Sequence, residues 1–270
     1  MTPGAKQRLV YVANAAAVFA ALLILWQVVI WIFRVQPFML PSPWAVAKAF
    51  VDRFAAILTA VEITGEESAA GLVASIAAGV LVSLVFAKSR RVRRMLYPYT
   101  LLLQTVPIIA IAPLILMWVG AGTASVAVIA FIISLAPVIF NTTQGLISVD
   151  ENLVNLFLMH NASPSQILFK LRLPHAVPSL FTGMRIASGI SVIGAFTGEL
   201  YAGSSRVGEG GLGYSILYAS TQLQTDYLFA LVLATAILGF AFFFLVVFLE
   251  WYFLHNWHES ARVAEAESDS

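Results

Sequence analysis

Apolar residues run along this chain in long blocks separated by short polar joints. Six blocks reach the ~20 mostly apolar residues that a helix needs to cross a bilayer. They cover residues 9–33, 67–87, 96–119, 123–147, 176–200 and 226–253. The first block is 25 residues long, against roughly 7–15 for the apolar region of a signal peptide. An Ala-x-Ala pattern at Ala13–Ala15 falls before most of that block, so the block reads as a retained span. The third block contains Pro107 and Pro113. Proline removes a backbone donor and kinks a helix, and in a bilayer such a break survives only where protein or a wet cavity satisfies the freed groups. Two readings fit: a bent helix lining a path, or a packing kink against neighbours.

The polar joints carry their own pattern. Residues 41–58 open with Pro-Ser-Pro and then place Val46, Phe50, Phe54 and Ile57 at helical spacing, which predicts a short helix on the membrane surface. A second short helix is predicted over 211–225, ending at Asp226 beside the last span. With the N-terminus inside, the inner joints hold Lys6, Arg8, Lys88, Arg90, Arg91, Arg93, Arg94, Lys170, Arg172 and Arg262. The outer joints hold Arg34, Lys48, Arg53 and Arg206. An excess of Lys and Arg marks the cytoplasmic side, so both termini are expected in the cytoplasm.

Composition agrees with lipid as the solvent. Of 270 residues 60% are hydrophobic and 11% charged, where a soluble domain carries about 25% charged residues. The net charge of +1 supplies no basic field for nucleic acid. There is no cysteine, which removes disulfides, thiolate metal sites and cysteine nucleophiles. Glu265, Glu267 and Asp269 make the last stretch a solvated tail.

The joint at 148–175 is too polar to span and too patterned to be slack. Asp150 is placed to cap a helix, with Glu151 set favourably against its dipole. That helix then shows Leu153, Val154, Leu156, Phe157, Leu158 and Met159, a nearly all-apolar surface that something must cover. Ser163, Pro164 and Gln166 fit the N-cap, first and third positions of a second helix, a capping box with proline where its missing N–H is harmless. The second helix is expected to end before Pro174. Two readings remain open on these residues alone: a knob that docks into a partner, or a loop folded back on its own bundle.

The segment Asn161-Ala-Ser-Pro-Ser-Gln-Ile-Leu-Phe-Lys-Leu-Arg-Leu-Pro174 resembles the cytoplasmic "EAA" loop of ABC importer permeases. That pattern has Glu-Ala-Ala, then glycine four residues after the last alanine, and ends Ile-x-Leu-Pro. Leu171, Leu173 and Pro174 match its end. The continuation His175-Ala-Val-Pro178-Ser-Leu-Phe-Thr-Gly183-Met-Arg185-Ile-Ala is similar to the nitrate/sulfonate/taurine (NitT/TauT-like) branch. So are Leu40-Pro-Ser-Pro-Trp-Ala-Val46, Thr105-Val-Pro107-Ile-Ile-Ala110-Ile-Ala-Pro113-Leu, Gly120-Ala-Gly122, Gly194-Ala-Phe-Thr-Gly-Glu199-Leu, Gly211-Leu-Gly213-Tyr and Trp257-His258. The resemblance covers residues 37–258. It departs at Asn155-Leu156-Phe157, which occupy the Glu-Ala-Ala position, and at Asn161, which occupies the glycine position. Asn tolerates the left-handed conformation that a bend needs. The bulkier Leu-Phe pair points to a more hydrophobic dock and a co-adapted ATPase.

The resemblance implies an all-α integral membrane fold of about six spans with a two-helix cytoplasmic coupling loop. It implies an importer permease that takes a small solute, an anion or a heterocyclic vitamin precursor, from a periplasmic or lipid-anchored binding protein. It further implies pairing with a second permease copy and with two ATPase subunits that carry ATP and Mg. The chain has no Gly-x-x-x-x-Gly-Lys-[Ser/Thr] run of its own, so it is not itself the ATPase. The organisation expected is an N-terminal span with a surface helix over 1–63, a permease core over 64–258 with the coupling loop at 148–175, and a tail over 259–270 in the bacterial inner membrane. Asn155, Leu156, Phe157, Met159, Asn161, Ala162, Ser163, Leu173 and Pro174 are the expected ATPase-docking residues.

Path residues follow from polar positions inside apolar blocks. Ser134, Pro137, Asn141 and Gln144 share a helix face. Gln104 and Thr105 precede the Pro107 break, and Glu199 and Tyr201 close the fifth block. Glu199 reads as a pore-mouth group or an interfacial anchor. Arg185, inside the same block, is expected to snorkel or to meet a carbonyl. Gly183, Ala187, Ser191 and Ala195, continued by Gly194 and Gly198, make a small-residue stripe for close helix approach, within the chain's gating contact or between two permeases. Gly208-Glu-Gly210-Gly-Leu-Gly213 matches a dinucleotide fingerprint but lacks the strand that must precede it, so it reads as a tight turn. His255 and His258 lack a third metal ligand. The rival function is an ion-coupled secondary transporter or channel; that class shows repeats and midplane carboxylates, and neither stands out in the sequence.

Overall fold

A computed structural model describes residues 3–202 and 210–255. Arg206, Gly208, Trp257, His258 and the tail lie outside the described residues. The described chain forms α1 (Pro3–Phe33), α2 (Pro43–Asp52), α3 (Phe54–Lys88), α4 (Arg90–Thr105), α5 (Ile108–Val119), α6 (Thr123–Ile147), α7 (Glu151–Met159), α8 (Pro164–Ile167), α9 (Leu173–Ala202), α10 (Leu212–Thr221) and α11 (Thr225–Leu254). A π-helical turn, Leu168–Arg172, joins α8 to α9. Five helices are long and apolar enough to cross a membrane, and α4 with α5 make a sixth candidate as a broken pair.

The third block is more than kinked: it is broken into two helices. Its two helices meet at 99°. Val106 precedes a proline and adopts extended backbone, as does Pro107 itself. Steric clash with the proline ring disfavours helix at the preceding residue, so two consecutive extended residues swing the chain aside. Pro113 and Pro98 stay within their helices. Gly120 and Gly122, both at positive φ, then make the turn into α6.

The α3 helix is longer than its apolar block. It begins at Phe54, so Phe54 and Ile57 belong to it rather than to the surface helix α2, and it runs unbroken through residue 63. Its 35 residues reach about 52 Å at 1.5 Å per residue. Its buried face is mostly small or polar, with Ala60, Thr64, Glu67, Ser68, Gly71, Ser75, Gly79 and Ser83 beside Ile57, Leu72 and Phe86.

The central helix is α6, packed against α3 on one side and α9 on the other. Lipid tails supply no hydrophobic drive between helices, so small residues that admit close backbone approach take its place. A Cβ added at Gly71 would meet Ala130 at 2.6 Å, and one at Gly79 would meet Val138 at 2.6 Å. On α9, Gly183 abuts the Pro137 carbonyl and Asn141, Gly194 abuts Ala130 Cα, and Gly198 abuts Val126 Cα. The small-residue stripe is therefore used inside the chain, against α6. Ser83 adds a bond to the Ile139 carbonyl at 3.1 Å, and Thr143 donates to Ser83 at 3.1 Å; such bonds in membrane bundles average about 0.6 kcal/mol.

Two ends of the bundle are set by contacts. At one end Arg53 donates to Gln224 and lies over the Tyr227 ring at 4.4 Å, and Thr225 donates to the Phe38 carbonyl at 2.7 Å. At the other end Arg172 reaches the Ala87 carbonyl at 3.4 Å and Arg185 pairs with Glu250 at 2.9 Å. Arg185 thus finds a carboxylate rather than a carbonyl. The second end carries Lys88–Arg94 and the 148–175 knob, and is called the basic end below.

Candidate functional site

The knob at the basic end forms by local rules. Asp150 accepts the Asn152 N–H at 2.7 Å and starts α7. After α7, Asn161 takes φ +54°, the left-handed conformation that asparagine tolerates better than most residues. Ser163 then accepts from the Gln166 N–H while the Gln166 side chain accepts from the Ser163 N–H, a complete capping box with Pro164 at the first helical position.

The second knob helix does not stop before Pro174. Pro164–Ala202 forms one continuous helical run of 39 residues. Pro174 has no N–H to return to the fourth residue back. The wider π turn at Leu168–Arg172 absorbs that missing bond, so Leu173 and Pro174 begin α9. The second knob helix is thereby the end of a transmembrane helix.

No residue of α7 is buried. Leu153, Leu156 and Leu158 are 45–53% exposed and Met159 82%. Asn155 is exposed and Phe157 half-buried. Leu156, Phe157, Ala162 and Gln166 line a cleft of about 360 Å³ between the two knob helices.

The polar positions expected along a path fall into separate places. Gln104, Pro137 and Asn141 meet around one cavity of about 490 Å³, closed by Val106, Ile186, Ile190 and Ile193. Asn141 also donates to the Pro137 carbonyl at 2.8 Å. Thr105, its hydroxyl donating to the Leu102 carbonyl, and Pro107 sit exposed at the break beside this cavity. Ser134 is fully buried, Gln144 is exposed toward the basic end, and Tyr201 is 44% exposed.

Glu199 is only 3% exposed. It accepts the Thr64 hydroxyl at 2.6 Å and the Gly213 N–H, and the Tyr214 N–H faces it as well. The first N–H groups of a helix lack partners within it, and a carboxylate there also suits the helix dipole. Glu199 therefore caps α10 from a different helix. Thr64 completes the network by accepting the Leu212 N–H at 2.8 Å. Gly213 has no room for a Cβ, which would meet the Phe196 carbonyl, so the Gly210–Gly213 turn serves close packing. Among the described residues there is no strand to make the turn a dinucleotide site and no cluster of metal ligands. His255 stacks on Trp251 at 5.1 Å.

One residue of this network, Glu67, is not among the path residues that the sequence pattern singles out. Glu67 is 5% exposed and lies beside Glu199. Its signal was the run of small and polar residues at three- and four-residue steps from Ala60 to Ser83, which marks the protein-facing side of α3 and places Glu67 on it.

Comparisons with known proteins meet this geometry. The family described as "Binding-protein-dependent transport system inner membrane component" matches residues 70–253. A probable ABC transporter permease protein of Haemophilus influenzae is 32% identical over 86% of this chain and 93% of its own. The formylaminopyrimidine transport permease ThiX of Halalkalibacterium halodurans is 32% identical, covering 82% of this chain and 86% of its own. The taurine transport system permease TauC of Escherichia coli is 29% identical, covering 82% and 81%. In fold, the chain is similar to the inward-facing MetNI methionine ABC transporter, with a TM-score of 0.51 at 19% identity over 78% of this chain and 97% of that one. The chain belongs to the binding-protein-dependent transport system inner membrane components and is a transmembrane permease subunit of an ABC importer.

Proposed function

We propose that this permease works as a pair of identical copies, each with its basic end in the cytoplasm and its knob on one ATPase subunit. ATP and Mg sit on those subunits. A periplasmic or lipid-anchored binding protein delivers the solute to the opposite end. Relatives named for taurine and formylaminopyrimidine transport support a small polar solute, an anion or a heterocyclic vitamin precursor. The orientation is supported by Lys88, Arg90, Arg91, Arg93, Arg94, Lys170 and Arg172 at the knob end, against Arg34, Lys48 and Arg53 at the other. The cavity around Gln104 and Asn141 is one copy's share of the path.

The observation that carries the reading is the apolar surface of α7, where Leu153, Leu156, Leu158 and Met159 stay exposed among the described residues. The continuity of α8, the second knob helix, with α9 supports the coupling. A shift of the docked knob moves a helix whose far end holds Glu199 and, through it, α10.

The test reconstitutes the permease with its ATPase and binding protein in proteoliposomes. Phe157→Asp and Met159→Asp should each abolish stimulation of ATP hydrolysis by loaded binding protein and leave membrane insertion intact. Met159 is too exposed for its change to unfold the chain. Stimulation that survives both changes refutes the knob as the dock.

A further inference from the structure

A second cleft at the basic end differs from the docking surface. It holds about 360 Å³ between the last turn of α3, α7 and the α8–π segment. Leu84, Val85, Ile167 and Phe169 make apolar walls, and Lys88 and Arg172 are the only charged groups lining it among the described residues. The Arg172 guanidinium makes one long bond, to the Ala87 carbonyl. Its Nε is shielded from solvent and meets no acceptor among the described residues. A guanidinium presents its donors in a planar fork that matches phosphate oxygens.

The position of the cleft narrows the occupant. Val85 and Leu81 are 52% and 64% exposed, one turn apart on α3, so an apolar track leads from the cleft up the outer face of a spanning helix. The basic run Arg90–Arg94 begins two residues beyond Lys88 and adds positive potential at the same level. Apolar walls, two cations and no carboxylate select an amphiphilic anion. Basic pockets between helices at the cytoplasmic boundary are suited to acidic headgroups.

We propose that this cleft binds an anionic phospholipid, its phosphate on Arg172 and Lys88 and one acyl chain along Val85 and Leu81. The proposal rests on the orientation given above only in assigning the lipid to the cytoplasmic leaflet. Native mass spectrometry of the assembled permease–ATPase complex tests it without any transport measurement. Phosphatidylglycerol should be retained about tenfold better than phosphatidylcholine of the same chains. The Lys88→Gln/Arg172→Gln double variant should lose that preference, and Lys88→Gln, which breaks no side-chain bond among the described residues, should lose part of it. Lys48→Gln, at the opposite end, should keep it. Three results overturn the site. Equal retention of the two lipids by the unaltered protein is one. Displacement of phosphatidylglycerol by millimolar inorganic phosphate, which marks a free-anion site, is another. The third is an equal loss in Arg90→Gln/Arg91→Gln, which makes the preference a diffuse surface field.

Discussion

Replacing Glu199 by alanine removes an acceptor on α9 that donors from α3 and α10 share. The Gly213 N–H loses its partner outright and the Tyr214 N–H loses the group it faces. Thr64 is less affected, because its hydroxyl also reaches the Ala60 carbonyl at 3.0 Å. Gly211 to Gly213 are buried, so water does not restore the lost bonds in the closed structure. A buried donor left unsatisfied costs about 1–3 kcal/mol, which makes the expected local loss about 2–6 kcal/mol. At 1.4 kcal/mol per decade, even a net 2 kcal/mol raises the opening of the α10 N-terminus about 30-fold. Hydrogen exchange of the detergent-solubilised protein reads this at the Gly213 and Tyr214 amides, with α6 amides as the internal reference. Glu199→Gln keeps one acceptor oxygen and should show an intermediate increase. Exchange at both amides within threefold of the parent, in Glu199→Ala, would show that Glu199 does not hold α10.

Gly194→Val drives a side chain into Ile133 at 2.7 Å and Ala130 Cα at 2.8 Å. Overpacking of this kind costs about 1–3 kcal/mol and should lower the melting temperature in detergent, whereas Gly189→Ala, with nothing within 4 Å, should not. Asn161→Val places a β-branched residue at φ +54°, at a cost of about 1–2 kcal/mol, while Asn161→Gly relieves it; limited proteolysis of the knob should rise in the first and not in the second. Arg185→Met leaves Glu250 without its partner in the bilayer, so Arg185→Met alone should lower thermal stability and Arg185→Met/Glu250→Leu should recover most of it. Equal stability of the single and double variants would count against the ion pair as a tie between α9 and α11.

Features of short range were legible in the sequence. The caps of α7 and α8 depend on residues within three positions of one another, and Asp150, Ser163, Pro164 and Gln166 act as their order suggests. The apolar surface of α7 was legible for the same reason: an apolar run bounded by caps leaves Leu153, Leu156, Leu158 and Met159 exposed among the described residues. Pro174 was misread because a π turn lies before it. Whether a proline ends a helix depends on whether the preceding turn widens, and no residue type announces that.

The pattern of apolar blocks by itself determined that this chain spans a membrane, because lipid leaves helices as the way to close its backbone bonds within each block. Partners across the bundle were decided only by tertiary structure. Thr64 and Glu199 stand 135 residues apart, and nothing along the chain tells a carboxylate at the end of α9 that it will cap α10 beside Glu67. The small stripe on α9 announced close packing but not its partner. Which helix fills it depends on the register at which Gly183, Gly194 and Gly198 meet the α6 backbone, and that register exists only when three helices pack at once.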